Sequence, residues 1–287
     1  MTDQAYNPNN TCYRHPDRQS FVLCQRCGRT ICPECQTPAA VGVHCPECVR
    51  EQRAQFAANR RASGAPSGFT VARRRFAMLD QKGTTVIVAI TVAIWLLDQV
   101  SGRFFTSLLA YNSLLLPSQP WRVVTALFVH ASFPYIFHLL FNMWALWIFG
   151  RMLENMLGTW RFVALYFITG IFGSMLVTFL APGTWVVGAS GAIFGLFAVF
   201  FVLQRSLGNN AVQLLVLMGL NLVIGFLPGV NISWQAHVGG IIGGFLMGFV
   251  FAQTRNVRKR PLQIALIIGA AVLGIALTAV GYAVTIG

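Results

Sequence analysis

Seven apolar segments of roughly membrane-crossing length lie at about 84–101, 133–150, 160–181, 188–205, 211–228, 234–253 and 262–285. No other feature limits the fold as much. A bilayer offers no water to exposed amides, so a spanning segment must satisfy its own N–H and C=O groups. Composition agrees: 55% of the 287 residues are hydrophobic, 10% are charged, and the mean hydropathy is +0.62. A soluble chain of this length cannot hide that much apolar surface. The expected fold class is an all-α polytopic membrane protein. The N-terminus is polar and lacks an h-region, so no cleavable signal peptide is expected.

Positive charge orients the segments. With a cytoplasmic N-terminus, the inside loops carry Arg73, Arg74, Arg75, Lys82, Arg151, Arg161, Arg205, Arg255, Arg258, Lys259 and Arg260. The outside loops then carry only Arg103 and Arg122. An odd number of crossings keeps the 254–261 loop inside and puts the C-terminus outside. The net charge of +13 points to cytoplasmic loops, and no nucleic-acid partner is expected. The long 102–132 loop is apolar and is expected in or on the outer leaflet, with Trp121 and Arg122 as an interfacial anchor.

All seven cysteines precede residue 49. They form Cys12-x-x-His15, Cys24-x-x-Cys27, Cys32-x-x-Cys35 and Cys45-x-x-Cys48. A two-residue spacer lets both side chains of a pair reach one ion, and four pairs suffice for two tetrahedral zinc sites. Disulfides would leave one cysteine over and would need an oxidising compartment. His44, next to Cys45, is an alternative ligand for the last pair. A module of residues 1–50 is too small for a sizeable core, so metal must supply much of its folding energy. With no position left for water, the zinc is structural, and the module is a candidate docking surface for a cytoplasmic protein. Residues 51–83 are polar and basic, with Ala62-Ser63-Gly64-Ala65-Pro66-Ser67-Gly68 as a flexible stretch and Arg73 to Arg75 facing anionic headgroups.

Few polar residues interrupt the apolar segments. His138 and Asn142 are four apart and share a helix face. Ser190 opens the fourth segment within Gly188-Ala189-Ser190-Gly191, and His237 lies near the start of the sixth. All four fall at similar depth below the outer surface. Intramembrane polar groups are costly and mark functional sites, although single pairs also serve as interhelical glue. A serine between glycines, read alone, fits helix packing at least as well as catalysis. Gly191 and Gly195 on one helix, and Gly240 and Gly244 on another, form stripes that permit close approach. That approach brings a hydroxyl within reach of an imidazole, as general-base catalysis needs.

With these elements the membrane region resembles the rhomboid intramembrane serine proteases. The resemblance rests on Trp121-Arg122, His138-x-x-x-Asn142, Gly150-Arg151-x-x-Glu154-x-x-x-Gly158 after the second segment, Gly188-x-Ser190-Gly191, and Ala236-His237-x-x-Gly240-x-x-x-Gly244. It covers a six-helix core at 84–253, with 254–287 as a basic loop and a seventh helix. It implies Ser190 as nucleophile, His237 as general base, and an oxyanion hole from His138, Asn142 and the Ser190 N–H. It implies that Gly188 shapes the turn before Ser190, that Gly240 supports close packing, and that Arg151 and Glu154 brace the cytoplasmic end. Family members often carry tyrosine four residues after the serine; here Phe194 keeps the ring and loses the hydroxyl. The N-terminal module resembles a B-box-type zinc finger. That resemblance implies a cross-brace, with the first and third pairs on one ion and the second and fourth on the other.

The resulting expectation is an endopeptidase cutting membrane-spanning proteins near the outer face, in a bacterial plasma membrane, with no catalytic cofactor. A non-proteolytic binder of membrane helices typically lacks the serine or the histidine, and both are present. A transporter would need a polar path, yet the inner halves of the segments are almost uniformly apolar. There is no H-E-x-x-H and no pair of membrane aspartates.

Overall fold

The computed structural model describes residues 10–39, 41–62, 81–224 and 232–287. The chain divides into two compact units, Met1–Met78 and Leu79–Gly287.

Among its described residues the first unit has almost no aliphatic interior. Its buried cluster is Ile31 with six cysteines. A two-stranded antiparallel ribbon, β1 (Thr37–Pro38) and β2 (Val43–His44), pairs Thr37 with His44. Helix α1 (Pro46–Ala62) follows directly. Proline at its first position costs no hydrogen bond, because that N–H has no helical acceptor. The expectation of a tether from residue 51 is thereby corrected: residues 51–62 continue the helix that carries Cys48. The remainder of the expected linker, 63–80, including Arg73, Arg74 and Arg75, lies outside the described residues.

The second unit is helical, and five of its helices are long and apolar enough to cross a bilayer. These are α2 (Lys82–Val100), α5 (Ile136–Leu157), α6 (Thr159–Leu180), α9 (Trp234–Gln253) and α10 (Arg260–Thr285). Two further apolar helices are α7 (Ser190–Ser206) and, among the described residues, α8 (Val212–Ile224). All seven expected segments are thus apolar helices, and the protein is a multi-pass membrane protein. Short helices α3 (Phe104–Leu109) and α4 (Arg122–Thr125) lie in the 101–135 connection.

Helix α7 can be short because it is central: twelve of its residues are buried, from Gly191 to Leu203. Helix α9 presses on it through glycine. A Cβ at Gly240 would overlap the Gly191 carbonyl, and one at Gly244 would overlap the Gly195 carbonyl. On its other side α9 meets α6, where a Cβ at Gly243 would sit 2.9 Å from the Phe172 side chain. Glycine is what lets three backbones share this space.

Buried polar groups tie the ends. Glu154 accepts from Gly83 N and Thr84 N at 2.8 Å each, from Thr84 Oγ1 at 2.8 Å and from Thr159 Oγ1 at 2.7 Å. The carboxylate so meets the unpaired amides and positive dipole end of α2. Arg151 donates to Gln81 Oε1 at 3.0 Å. The segment from Gly150 to Leu157, expected to follow the second helix, instead continues it through a π-helical turn at Leu146–Gly150. Gly158, at φ 82°, ends it. Arg122 is not the interfacial anchor expected. It is buried and donates to Gln119 Oε1, Ala110 O and Ser107 O, each at 2.6 Å, bracing the first connection from inside.

Candidate active site

The site begins where the 101–135 connection meets the segment before α7. Tyr111 and Val186 exchange backbone hydrogen bonds of 2.9 Å in both directions, and Gly188 N donates to Ala126 O at 3.0 Å. The chain then turns at Gly188, with φ +116°, a region that L side chains rarely adopt. A Cβ here would also lie 2.9 Å from the His138 ring. The turn delivers Ser190 to the first position of α7. The first amides of a helix have no intrahelical acceptor, so the Ser190 N–H is a donor of this kind.

Ser190 Oγ and His237 Nε2 are 2.9 Å apart. His237 sits in the first turn of α9, whose N-cap is Ser233. Its ring is 4% exposed and stacks on Phe194, with centroids 4.1 Å apart and planes 15° apart. Phe194 is one turn below Ser190 on α7, so one helix supplies both the hydroxyl and the surface that holds the imidazole. His237 Nδ1 is buried without a hydrogen-bond partner among the described residues. The two carboxylates among the described residues of the membrane unit, Asp98 and Glu154, are engaged elsewhere. Asp98 accepts from Thr106 N and Oγ1 at 2.9 and 2.6 Å, and Glu154 caps α2.

His138 accepts from Ala131 N through Nδ1 at 3.4 Å, which leaves Nε2 as the proton-bearing nitrogen, on the side of Gly188. Asn142 is buried and donates from Nδ2 to the His138 carbonyl at 2.7 Å, with the second amide hydrogen uncommitted by that bond. The structure therefore joins Ser190, His237 and Phe194 directly, sets Gly188 against His138, and packs Gly240 on Gly191. One participant was not anticipated. His130 is 1% exposed, lies 5.2 Å from the His138 ring, and accepts from Ala189 N through Nε2 at 3.3 Å. It fixes the residue just before Ser190. The available signal was a histidine eight residues ahead of His138, in a stretch read as loop.

Two further clusters lie in the first unit. Cys12, His15, Cys32 and Cys35 bring one ligand atom each within 4.8 Å of one another, as do Cys24, Cys27, Cys45 and Cys48. These are the first with the third pair, and the second with the fourth. His44 belongs to neither; it is held in β2. Distances such as Cys27 Sγ to Cys45 Sγ, 3.7 Å, and His15 Nδ1 to Cys35 Sγ, 3.5 Å, match the roughly 3.8 Å edge of a tetrahedron built on 2.3 Å zinc–sulfur bonds. All seven thiols are unbridged. Burial pushes Cys24 up, but N–H groups of Cys45, Arg26 and Cys27 outweigh it and bring the thiol down to about 6. Burial and the neighbouring Cys12 and Cys32 push Cys35 up to about 11. Four ligand atoms gathered this closely in each cluster fit a metal ion.

Comparison with known proteins covers the membrane unit. The Rhomboid domain matches residues 117–254. The chain is 34% identical to the rhomboid protein YdcA of Bacillus subtilis, over 61% of this chain and 90% of that one. It is 33% identical to RHOMBOID-like protein 7 of Arabidopsis thaliana, over 56% of this chain and 52% of the relative. It is also 33% identical to the rhomboid protease GluP of Bacillus subtilis, over 66% of this chain and 39% of GluP. The chain thus spans about half or less of the latter two.

Proposed function

The chain belongs to the rhomboid family of intramembrane serine endopeptidases, and on that premise we propose that Ser190 and His237 are its nucleophile and general base. The observation that carries this is the 2.9 Å contact between Ser190 Oγ and His237 Nε2. His237 Nε2 takes the hydroxyl proton as Oγ adds to the scissile carbonyl. The oxyanion forms beside three donors: the Ser190 N–H, His138 Nε2–H and an Asn142 amide hydrogen. The C–N bond then breaks, and the imidazolium returns its proton to the leaving amine. Water hydrolyses the acyl-enzyme by the same steps in reverse order. With no acidic partner for His237 Nδ1 among the described residues, the stack on Phe194 holds the imidazole, a role for which the ring face suffices.

The substrate class is membrane-spanning proteins. Ser190 and His237 stand at helix ends that the charge distribution assigns to the outer side, so cleavage falls near the outer face. A substrate helix must unwind there, because a helix shields its own carbonyls. The same distribution gives a cytoplasmic N-terminus and an extracytoplasmic C-terminus. The deciding experiment is cleavage of a single-span test substrate by purified protein in lipid, wild type beside Ser190→Ala and His237→Ala. Cleavage by wild type alone supports the pair. Equal cleavage by all three sinks it. No cleavage, with no labelling of Ser190 by a fluorophosphonate, favours a non-proteolytic binder of membrane helices.

The two ligand clusters are proposed to hold one structural zinc ion each, both closed to water. Catalysis uses no metal in this reading. The module's role is docking of a cytoplasmic protein, motivated by topology. Deleting residues 1–60 and finding activity and cellular partners unchanged would remove it.

A further inference from the structure

A cavity of about 330 Å³ opens where α6 begins, α9 ends and α10 begins. We propose that it binds the phosphate headgroup of an anionic glycerophospholipid. Arg161, Arg255 and Arg260 line it, with Gln263, Leu157 and Phe251. The volume lies in the range of small-ligand sites.

Among the described residues no carboxylate pairs with Arg161, Arg255 or Arg260. From residue 81 onward the sequence contains only two acidic residues, Asp98 and Glu154. Asp98 is bonded to Thr106, and both Glu154 oxygens are taken by the start of α2 and by Thr159. Arg161 is held by Nε to Gln263 Oε1 at 2.6 Å and by Nη1 to Leu157 O at 3.0 Å, leaving Nη2 without a partner among the described residues. Gln263 is itself fixed to Thr254 Oγ1 at 2.7 Å. Arg255 reaches the Ser206 hydroxyl at 2.9 Å, and Arg260 is exposed. An anchored guanidinium faces two more adaptable ones, an arrangement suited to a tetrahedral anion.

Position selects lipid over a free anion. Trp160 is 41% exposed beside the cavity, with the Arg161 guanidinium 4.7 Å over its ring. Trp147, on the preceding helix, carries Arg151 at 4.7 Å in the same way. Exposed tryptophans under arginine mark the headgroup level of a bilayer. Met156, Leu157 and Val257 give the cavity an apolar wall that a soluble phosphate would not use and a glycerol backbone would. The positive-inside tendency explains why cations gather at this end. It does not explain why three of them converge on one concavity while Arg258 and Lys259, in the same loop, stay out of it.

The test uses full-length protein in vesicles with spin-labelled phosphatidylglycerol or phosphatidylcholine. Two double variants remove equal charge from the same loop: Arg255→Gln with Arg260→Gln, and Arg258→Gln with Lys259→Gln. All four positions are exposed, and an unchanged thermal melt checks folding. Wild type should immobilise phosphatidylglycerol on the order of 5-fold more than phosphatidylcholine, following the attraction expected of surface cations. The first double should lose most of that preference and the second little. Equal loss in both means diffuse surface charge and overturns the site, as does no preference in wild type. If inorganic phosphate, but not sulfate at equal ionic strength, displaces the labelled lipid, the ligand is a free phosphate and the lipid assignment falls.

Discussion

Phe194 and His130 hold the candidate site through different forces. The Phe194 ring lies nearly parallel to His237 at 4.1 Å and forms one wall of its slot. Such an aromatic pair contributes about 0.5–1.5 kcal/mol beyond its buried area. Phe194→Leu should therefore slow cleavage by roughly 2- to 12-fold and, by shrinking a buried side chain, also lower the melting temperature. Phe194→Tyr should retain turnover, because the stack uses only the face. Steady-state cleavage in lipid checks both, and equal rates for leucine and phenylalanine would remove the stack from the account. His130 acts through the backbone. Its Nε2 is the acceptor for Ala189 N, beside a turn already constrained by Gly188 at φ +116°. His130→Ala leaves that buried N–H unpaired, at a cost of about 1–3 kcal/mol. Cleavage and thermal stability should fall together.

At the scale of helices, the close crossing of α7 and α9 decides the geometry. Gly240→Ala would drive a methyl group into the Gly191 carbonyl, so the helices must separate. Overpacking of this kind costs about 1–3 kcal/mol, and it also widens the gap between Ser190 and His237. Gly219→Ala is the control, since nothing lies within 4 Å of its Cβ position. Thermal unfolding in detergent should drop for the first and hold or rise for the second. Glu154→Ala removes the acceptor for Gly83 N, Thr84 N, Thr84 Oγ1 and Thr159 Oγ1, at about 1–3 kcal/mol per donor left buried and unpaired. Its melting temperature should fall furthest of these variants. These elements differ in how far they could be read from sequence. The glycine spacings of four gave the adjacency of the fourth and sixth helices, because a small-residue stripe has one strong use in lipid. Apolar length gave all seven helices but not that α7 is short, since hydropathy does not register which helix is enclosed by others. Nor did it register that helix α5 runs on to Leu157 through a π turn, because Arg151 and Glu154 look like a loop when their partners across the fold are unknown. Arg122 misled for the same reason: a guanidinium beside tryptophan suggests an interface, and only the fold shows three oxygen acceptors within 2.6 Å.

At the scale of the whole molecule, two units draw on different sources of stability. The membrane unit has a continuous apolar core that runs from Ile87 to Ala270. Among its described residues the N-terminal unit buries Ile31 and cysteines and little else. By area alone such a unit stays unfolded, since ordering its backbone costs more than so small a core returns. Its folding free energy must come from metal, where structural zinc in finger-sized modules contributes about 10–16 kcal/mol at neutral pH. Metal analysis of the purified chain should give two zinc ions. Chelation should open the first unit to proteolysis between residues 10 and 62, with cysteines newly reactive to alkylation. Cys24→Ser should release one ion and expose Cys27, Cys45 and Cys48, while the other cluster keeps its metal longer. Cleavage of a single-span substrate should survive each treatment, because no ligand to either cluster lies in the membrane unit. Loss of cleavage on chelation, with Ser190 still labelled by a fluorophosphonate, would mean instead that the metal-bound unit takes part in admitting substrate. In that case the zinc clusters would have to be counted as part of the protease's working machinery.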